Sequence, residues 1–379
     1  MSKKILMVLA GVLATAVVYA AGAPLRSGHP DSYTVRRGDT LWDISAKFLA
    51  KPWLWPEIWQ ANPQVRNPHL IYPGDVLNLS FIGGNGGVPS LTLQPAVHRE
   101  DAAVTAIPLS DLRMFLKDLR VMDSSAVSAA PYVVGLEEAR LRGAVGQNLY
   151  VRGLHGEPGQ RWAIVRPTHI FRAFPRDVSK PPESPLAANP LDSNAAMVDA
   201  PWNEDTRLDG HWERGKDIGV EVTVIGTAET LRMGDPATLL LLDSTREIRS
   251  GDRVMPIDDT PYDPYYLPHP PKSVPATARV IGLADALHAA GSRQVVVLSL
   301  GSKDGVDNGT TFTMDEPGET IHDDVVSNSW DRAVGPKVTL PDEYVGHVMV
   351  FRTFDRVSYG LVMDGLRPVH IGAKLRMPE

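Results

Sequence analysis

The sequence predicts a multi-domain chain in which a small α+β unit, ordered strand-helix-helix-strand, precedes a duplicated β-rich module built as small antiparallel barrels or sandwiches. Three observations predict it. Residues 33–79 alternate between strand and helix patterns within a length that holds one small fold. Downstream, one set of short apolar runs occurs twice in the same order. With 32 Gly and 32 Pro among 379 residues, the chain is dense in turns and short strands.

In the first unit, Tyr33-Thr34-Val35 and Val76-Leu77-Asn78-Leu79 have the period-2 pattern of strands. The first helical signal starts at Asp39-Thr40. Thr40 and Asp43 have capping-box spacing, Leu41, Ile44 and Phe48 recur at helical intervals, and Asp39 reads as a cap. The second has Pro56 as a first helical residue and stops at Asn62-Pro63. Two paired strands with the helices on one face leave the two strand-helix loops side by side.

Tyr33, Val35, Gly38, Asp39, Thr40, Leu41 and Ile44, with Asn62, Pro63, Ile71, Tyr72, Pro73, Gly74 and Leu77, give residues 31–81 a specific resemblance to a LysM domain. The resemblance implies binding of N-acetylglucosamine-containing glycans, peptidoglycan or a chitin-like polymer, in a shallow groove. Its walls would be Gly38, Asp39, Thr40 and Leu41 on one side and Ile71, Tyr72 and Pro73 on the other. The chemistry agrees, because a neutral acetamido sugar asks for exposed backbone donors and acceptors beside an aliphatic wall. Charges within the segment balance. Trp42, Trp53, Trp55 and Trp59 are four of the chain's eight tryptophans. Packing is favoured over sugar stacking for Trp59 in so small a fold, while Trp53, Trp55 and Tyr72 fit either role.

Residues 1–20 read as a signal peptide: Lys3 and Lys4 precede an apolar run from Ile5 to Val18, and Val18-Tyr19-Ala20 resembles a cleavage site. This predicts a periplasmic, wall-associated protein that meets a membrane only through an uncleaved leader. The absence of Cys fits an oxidising compartment. A net charge of -7 argues against nucleic acid, whose phosphates require a basic face.

Residues 82–108 read as a flexible linker around Gly83-Gly84-Asn85-Gly86-Gly87. Residues 109–256 then hold a helix over Leu109 to Val121 and the first β-rich repeat, interrupted by a Pro-rich insertion at 175–201. Residues 257–276 form a Pro-rich spacer, and 277–379 the second repeat, with a polar insertion at 315–341. Val134-Gly135-Leu136-Glu137-Glu138-Ala139 matches Ile281-Gly282-Leu283-Ala284-Asp285-Ala286, and Gln147 keeps the same offset to Gln294. Both insertions are expected to be surface loops.

No thiol is available as a nucleophile, and no HExxH, G-x-S-x-G or S-x-x-K pattern occurs. His155, His169, His211, His347 and His370 are scattered, and Glu137, Glu138 and Glu343 show no spacing that marks a glycosidase. The reading is a non-catalytic glycan-binding protein without metal or cofactor, whose repeats bind an unidentified protein partner or build an assembly. The alternative is a peptidoglycan hydrolase targeted by its LysM-like domain, with an unrecognised site in the repeats.

Overall fold

The computed structural model describes residues 23–60, 71–82, 88–94, 112, 119–172, 195–197, 217–258, 266–284, 288–323 and 336–378. The chain divides into two compact units, Met1–Leu112 with Asp263–His269, and Arg113–Tyr262 with Pro270–Pro378.

The first unit contains β1 (Ser32–Thr34), α1 (Leu41–Phe48), a 3-10 turn (Pro52–Leu54), α2 (Trp55–Gln60), β2 (Val76–Ile82) and β3 (Val88–Gln94). Thr40 caps α1: its hydroxyl accepts from Asp43 N–H at 3.1 Å, and the Asp43 carboxylate accepts from Thr40 N–H at 3.2 Å. Leu41, Ile44, Phe48, Trp55, Ile58, Ile71, Leu77 and Leu91 are buried, with Trp42 and Trp59. Each such side chain contributes roughly 1.5–3 kcal/mol. Trp55 is therefore core, and Trp53 is half-buried.

The sheet is three-stranded, ordered β1-β2-β3, where the sequence suggested a pair. Strand β3 aligns with β2 from Val76↔Gln94 to Ile82↔Val88, so the expected linker 82–108 begins with a strand of the first unit. Pro89 obscured it, since proline in a strand pattern signals an edge, which is where β3 lies. Residues 83–87 lie outside the described residues. The unit also starts before residue 31, because Leu25 bridges Leu49 and Ala50 N–H donates to Pro24 O at 2.9 Å. Part of the expected spacer, Asp263–His269, falls within this unit, and Tyr266 is buried.

The second unit opens with β4 (Leu119–Met122), α3 (Ser124–Ala129), β5 (Tyr132–Leu136), β6 (Asn148–Arg152) and β7 (Arg161–Arg172). It continues with β8 (Ala195–Met197), β9 (Asp217–Arg232), β10 (Ala237–Ser244) and β11 (Arg253–Pro256). The sheet order β4-β9-β10-β6-β5-β11-β7-β8, with a further β9–β7 pairing, closes six strands into a barrel and leaves β4 and β8 as additions. Trp162 and Ile164 point into the interior with Leu149, Val151, Leu239 and Leu241, while the alternate residues Ala163 and Val165 pack outside against Val127 of α3.

A second barrel follows: β12 (Val280–Leu283), β13 (Val295–Leu298), β14 (Thr311–Glu316), β15 (Thr320–His322), β16 (Lys337–Thr339), β17 (Glu343–Thr353), β18 (Ser358–Gly365) and β19 (Lys374–Arg376). Its order, β12-β13-β18-β17-β14-β19, is that of β5-β6-β10-β9-β7-β11 in the first barrel. Val280 N–H donating to Ala373 O, and Gly372 N–H to Val280 O, join β12 to β19. Phe312, Met314, Val296, Leu298, Val348 and Val350 fill the interior.

Three expectations change here. Leu119–Val121, the end of the predicted helix, is strand, and most of the remainder lies outside the described residues. Polar insertion 315–341 is not simply a loop, since Asp315 and Glu316 complete β14 and β15 pairs with β16. Of insertion 175–201, the described residues Ala195–Met197 pair with β7.

All four residues of β13 are buried, and so are Ile281, Met349, Phe351 and Tyr359. Alternation would expose one face of these strands, so the outer wall of the second barrel is covered too. Tyr359 OH donates to Glu221 of the first barrel, Asp258 lies 3.9 Å from Arg120 Nε and 3.7 Å from Arg352, and a Cβ on Gly282 would stand 3.5 Å from Phe171. The barrels are packed side by side.

Candidate functional site

The loops that flank the helices of the first unit are joined through Val35. Its N–H donates to Asp75 O at 2.9 Å, and its carbonyl accepts from Gly74 N–H at 2.8 Å. The loops therefore lie alongside each other at one end of the sheet, as the element order implies.

Each is a turn of the same construction. In Arg36-Arg37-Gly38-Asp39, Arg36 N–H donates to the Asp39 carboxylate at 2.8 Å and Asp39 N–H to Arg36 O at 3.2 Å. In Tyr72-Pro73-Gly74-Asp75, Tyr72 N–H donates to the Asp75 carboxylate at 2.9 Å and Asp75 N–H to Tyr72 O at 3.1 Å. The third residue has φ +89° at Gly38 and +97° at Gly74, a region that L side chains avoid, as type II turns require.

Asp39 thus braces its turn instead of capping the helix. Its carboxylate also accepts from Tyr33 OH at 2.9 Å, and burial followed by this bond pushes the Tyr33 phenol up. Gly38 and Gly74 are exposed, and Asp39, Tyr72 and Pro73 are partly so. Thr40 is 4% exposed, while Leu41 and Ile71 are fully buried. Of the seven residues carried over from the resemblance, Gly38, Asp39, Tyr72 and Pro73 present surface, and Leu41 and Ile71 underlie the turns. The notch can offer a sugar turn backbone and the flank of Tyr72 and Pro73. Arg36 and Arg37, counted in the sequence only towards charge balance, are exposed on this rim.

In the barrels, His169 meets Glu221 at 2.6 Å, His347 meets Asp364 at 3.0 Å and His370 meets Glu316 at 3.0 Å. Glu137 accepts from Asn148 N–H at 3.0 Å, Glu138 pairs with Arg140, and Glu343 pairs with Arg367. His155 is exposed, and His211 lies outside the described residues. Among the described residues, no three His, Cys, Asp or Glu side chains are grouped to hold a metal ion.

Residues 33–80 match the LysM domain family. The chain carries a LysM domain. LysM domains bind glycans of the peptidoglycan or chitin type. A relative in Bacillus subtilis (strain 168), described as uncharacterized protein YqbP, is 38% identical over 60 residues. That match spans 13% of this chain and 27% of the relative. Beyond the LysM domain, the chain is a large β-rich region of antiparallel sheets.

Proposed function

We infer that the protein is a non-catalytic peptidoglycan-binding protein of the cell envelope, exported to the periplasm, whose two barrels dock a partner protein or build an assembly. The observation that carries the reading is the pair of matched turns held together by Val35 at the open end of the LysM domain. The leader-like pattern before residue 21 supports export. For the barrels, interiors filled by Phe312, Met314, Trp162 and Leu239 support a scaffolding role. Their common strand order supports an origin by tandem duplication.

A single shallow notch supports binding on the order of micromolar to millimolar, about 4–8 kcal/mol. Retention on the wall then draws on avidity supplied through the barrels. The test uses the full chain and purified sacculi. Wild type sediments with sacculi without releasing soluble fragments, and a Tyr72→Ala, Pro73→Glu variant with the same melting profile loses about tenfold in affinity, or ~1.4 kcal/mol. Unchanged sedimentation by that variant would remove the notch from the reading. Release of muropeptides by wild type would turn it to a hydrolase.

A further inference from the structure

We propose that Arg36 and Arg37 make the LysM notch selective for carboxylate-bearing amino-sugar polymers over neutral ones. The proposal rests on the glycan-binding reading and names its substrate class more closely.

Arg36 and Arg37 follow Val35 directly and are the first two residues of the turn that forms one wall of the notch. Both side chains are exposed, and neither guanidinium makes a hydrogen bond or ion pair among the described residues. Among the described cations of the unit, Arg26 and Lys47 lie at the far end of α1 from Thr40. Arg26 donates to Ala46 O near the C-terminal end of α1, and Lys47 is in its last turn.

The carboxylates near the notch are directed inward. Asp39 accepts from Arg36 N–H and Tyr33 OH, Asp43 accepts from Thr40, and Asp75, 1% exposed, accepts from Tyr72 N–H. They are committed to the turns and the helix cap, whereas the two guanidinium groups reach into solvent. A neutral N-acetylglucosamine chain has no use for that pair. A chain bearing lactyl ethers or short peptides presents a carboxylate on alternate sugars, and the planar donors of arginine suit it.

Exposed ion pairs are individually weak, so two of them give a preference of about threefold to tenfold, strongest at low salt. Screening shortens the reach of such charges from about 10 Å at 0.1 M salt to about 3 Å at 1 M.

The experiment compares full-length protein with an Arg36→Gln, Arg37→Gln variant on three probes: soluble chitin oligosaccharides, purified sacculi, and sacculus glycan stripped of peptide. Wild type is expected to prefer the sacculus-derived probes at low salt and to lose the preference at 1 M. The variant is expected to bind chitin oligosaccharides like wild type and to show no preference. Because stripping the peptide frees the lactyl carboxyl from its amide, a preference on stripped glycan shows that the lactyl carboxylate suffices there, and one confined to intact sacculi assigns the peptide carboxylate. Equal wild-type affinity for neutral and acidic probes, or an undiminished preference in the variant, overturns the proposal while leaving glycan binding intact. Failure of wild type to bind any probe instead removes the glycan reading beneath it.

Discussion

The Tyr359 hydroxyl of the second barrel donates to the Glu221 carboxylate of the first, and both residues are buried. Thr168 and His169 bond the other oxygen at 2.6 Å each. Burial pushes the Glu221 carboxyl up, but the bond and charge of His169, then the bonds of Thr168 and Tyr359, hold it below the usual range.

A depressed carboxyl stabilises the fold above its unfolded value of about 4.3, and this contribution is lost as pH falls through the folded value. The melting temperature of the barrel unit should therefore fall on acidification below about pH 4.3, and less steeply in Glu221→Gln. Tyr359→Phe removes one donor from a buried carboxylate and should cost about 1–3 kcal/mol at neutral pH. Calorimetry across pH checks both.

The buried Asp252 carboxylate pairs with the partly buried Arg166, with two contacts of 2.7 and 2.8 Å, and also accepts from Arg249 N–H at 2.8 Å. Arg166→Leu leaves that carboxylate without its cation. The expected loss is about 3–5 kcal/mol, read by chemical denaturation.

Arg293 has φ +66°, a left-handed conformation unfavourable for a side chain. It occupies the turn Gly291-Ser292-Arg293-Gln294, where Gln294 accepts from Gly291 N–H at 2.6 Å. The first barrel builds the matching turn, Ala144-Val145-Gly146-Gln147, with glycine. Arg293→Gly should stabilise by about 1 kcal/mol, and Gly146→Arg should destabilise by a similar amount, both visible as opposite shifts in thermal unfolding.

Thr40 is buried beneath the notch and caps α1. Thr40→Ala should cost the LysM domain about 1 kcal/mol through the lost cap. Glycan affinity at temperatures where the domain stays folded should be little changed, and titration calorimetry beside thermal unfolding separates the two effects.

Much of this was legible in the residues. The order strand-helix-helix-strand placed the two loops side by side, but Asp39 read as a helix cap where it braces the Arg36–Asp39 turn, and the same role of Asp75 was not read. Period-2 patterns located β1 and β2 of the first unit, and short apolar runs divided by turn residues marked the rest of the chain as β-rich. Which of the notch residues face solvent was not legible, since Leu41 and Ile71 look alike whether they line a groove or fill a core. Strand β3 was hidden by its proline. Packing between the barrels was hidden too, because Glu221 and Tyr359 are 138 residues apart and carry no shared pattern.

Both interruptions emerge from the ends of long antiparallel ladders. One lies between Arg172 and Asp217, which close the β7–β9 register, and the other between Glu316 and Glu343, which close that of β14 and β17. A sequence spliced into either would enter and leave through neighbouring positions on an already zipped stem. These two rims are thus ready-made attachment points, where the chain accepts new cargo without reopening the wall behind it.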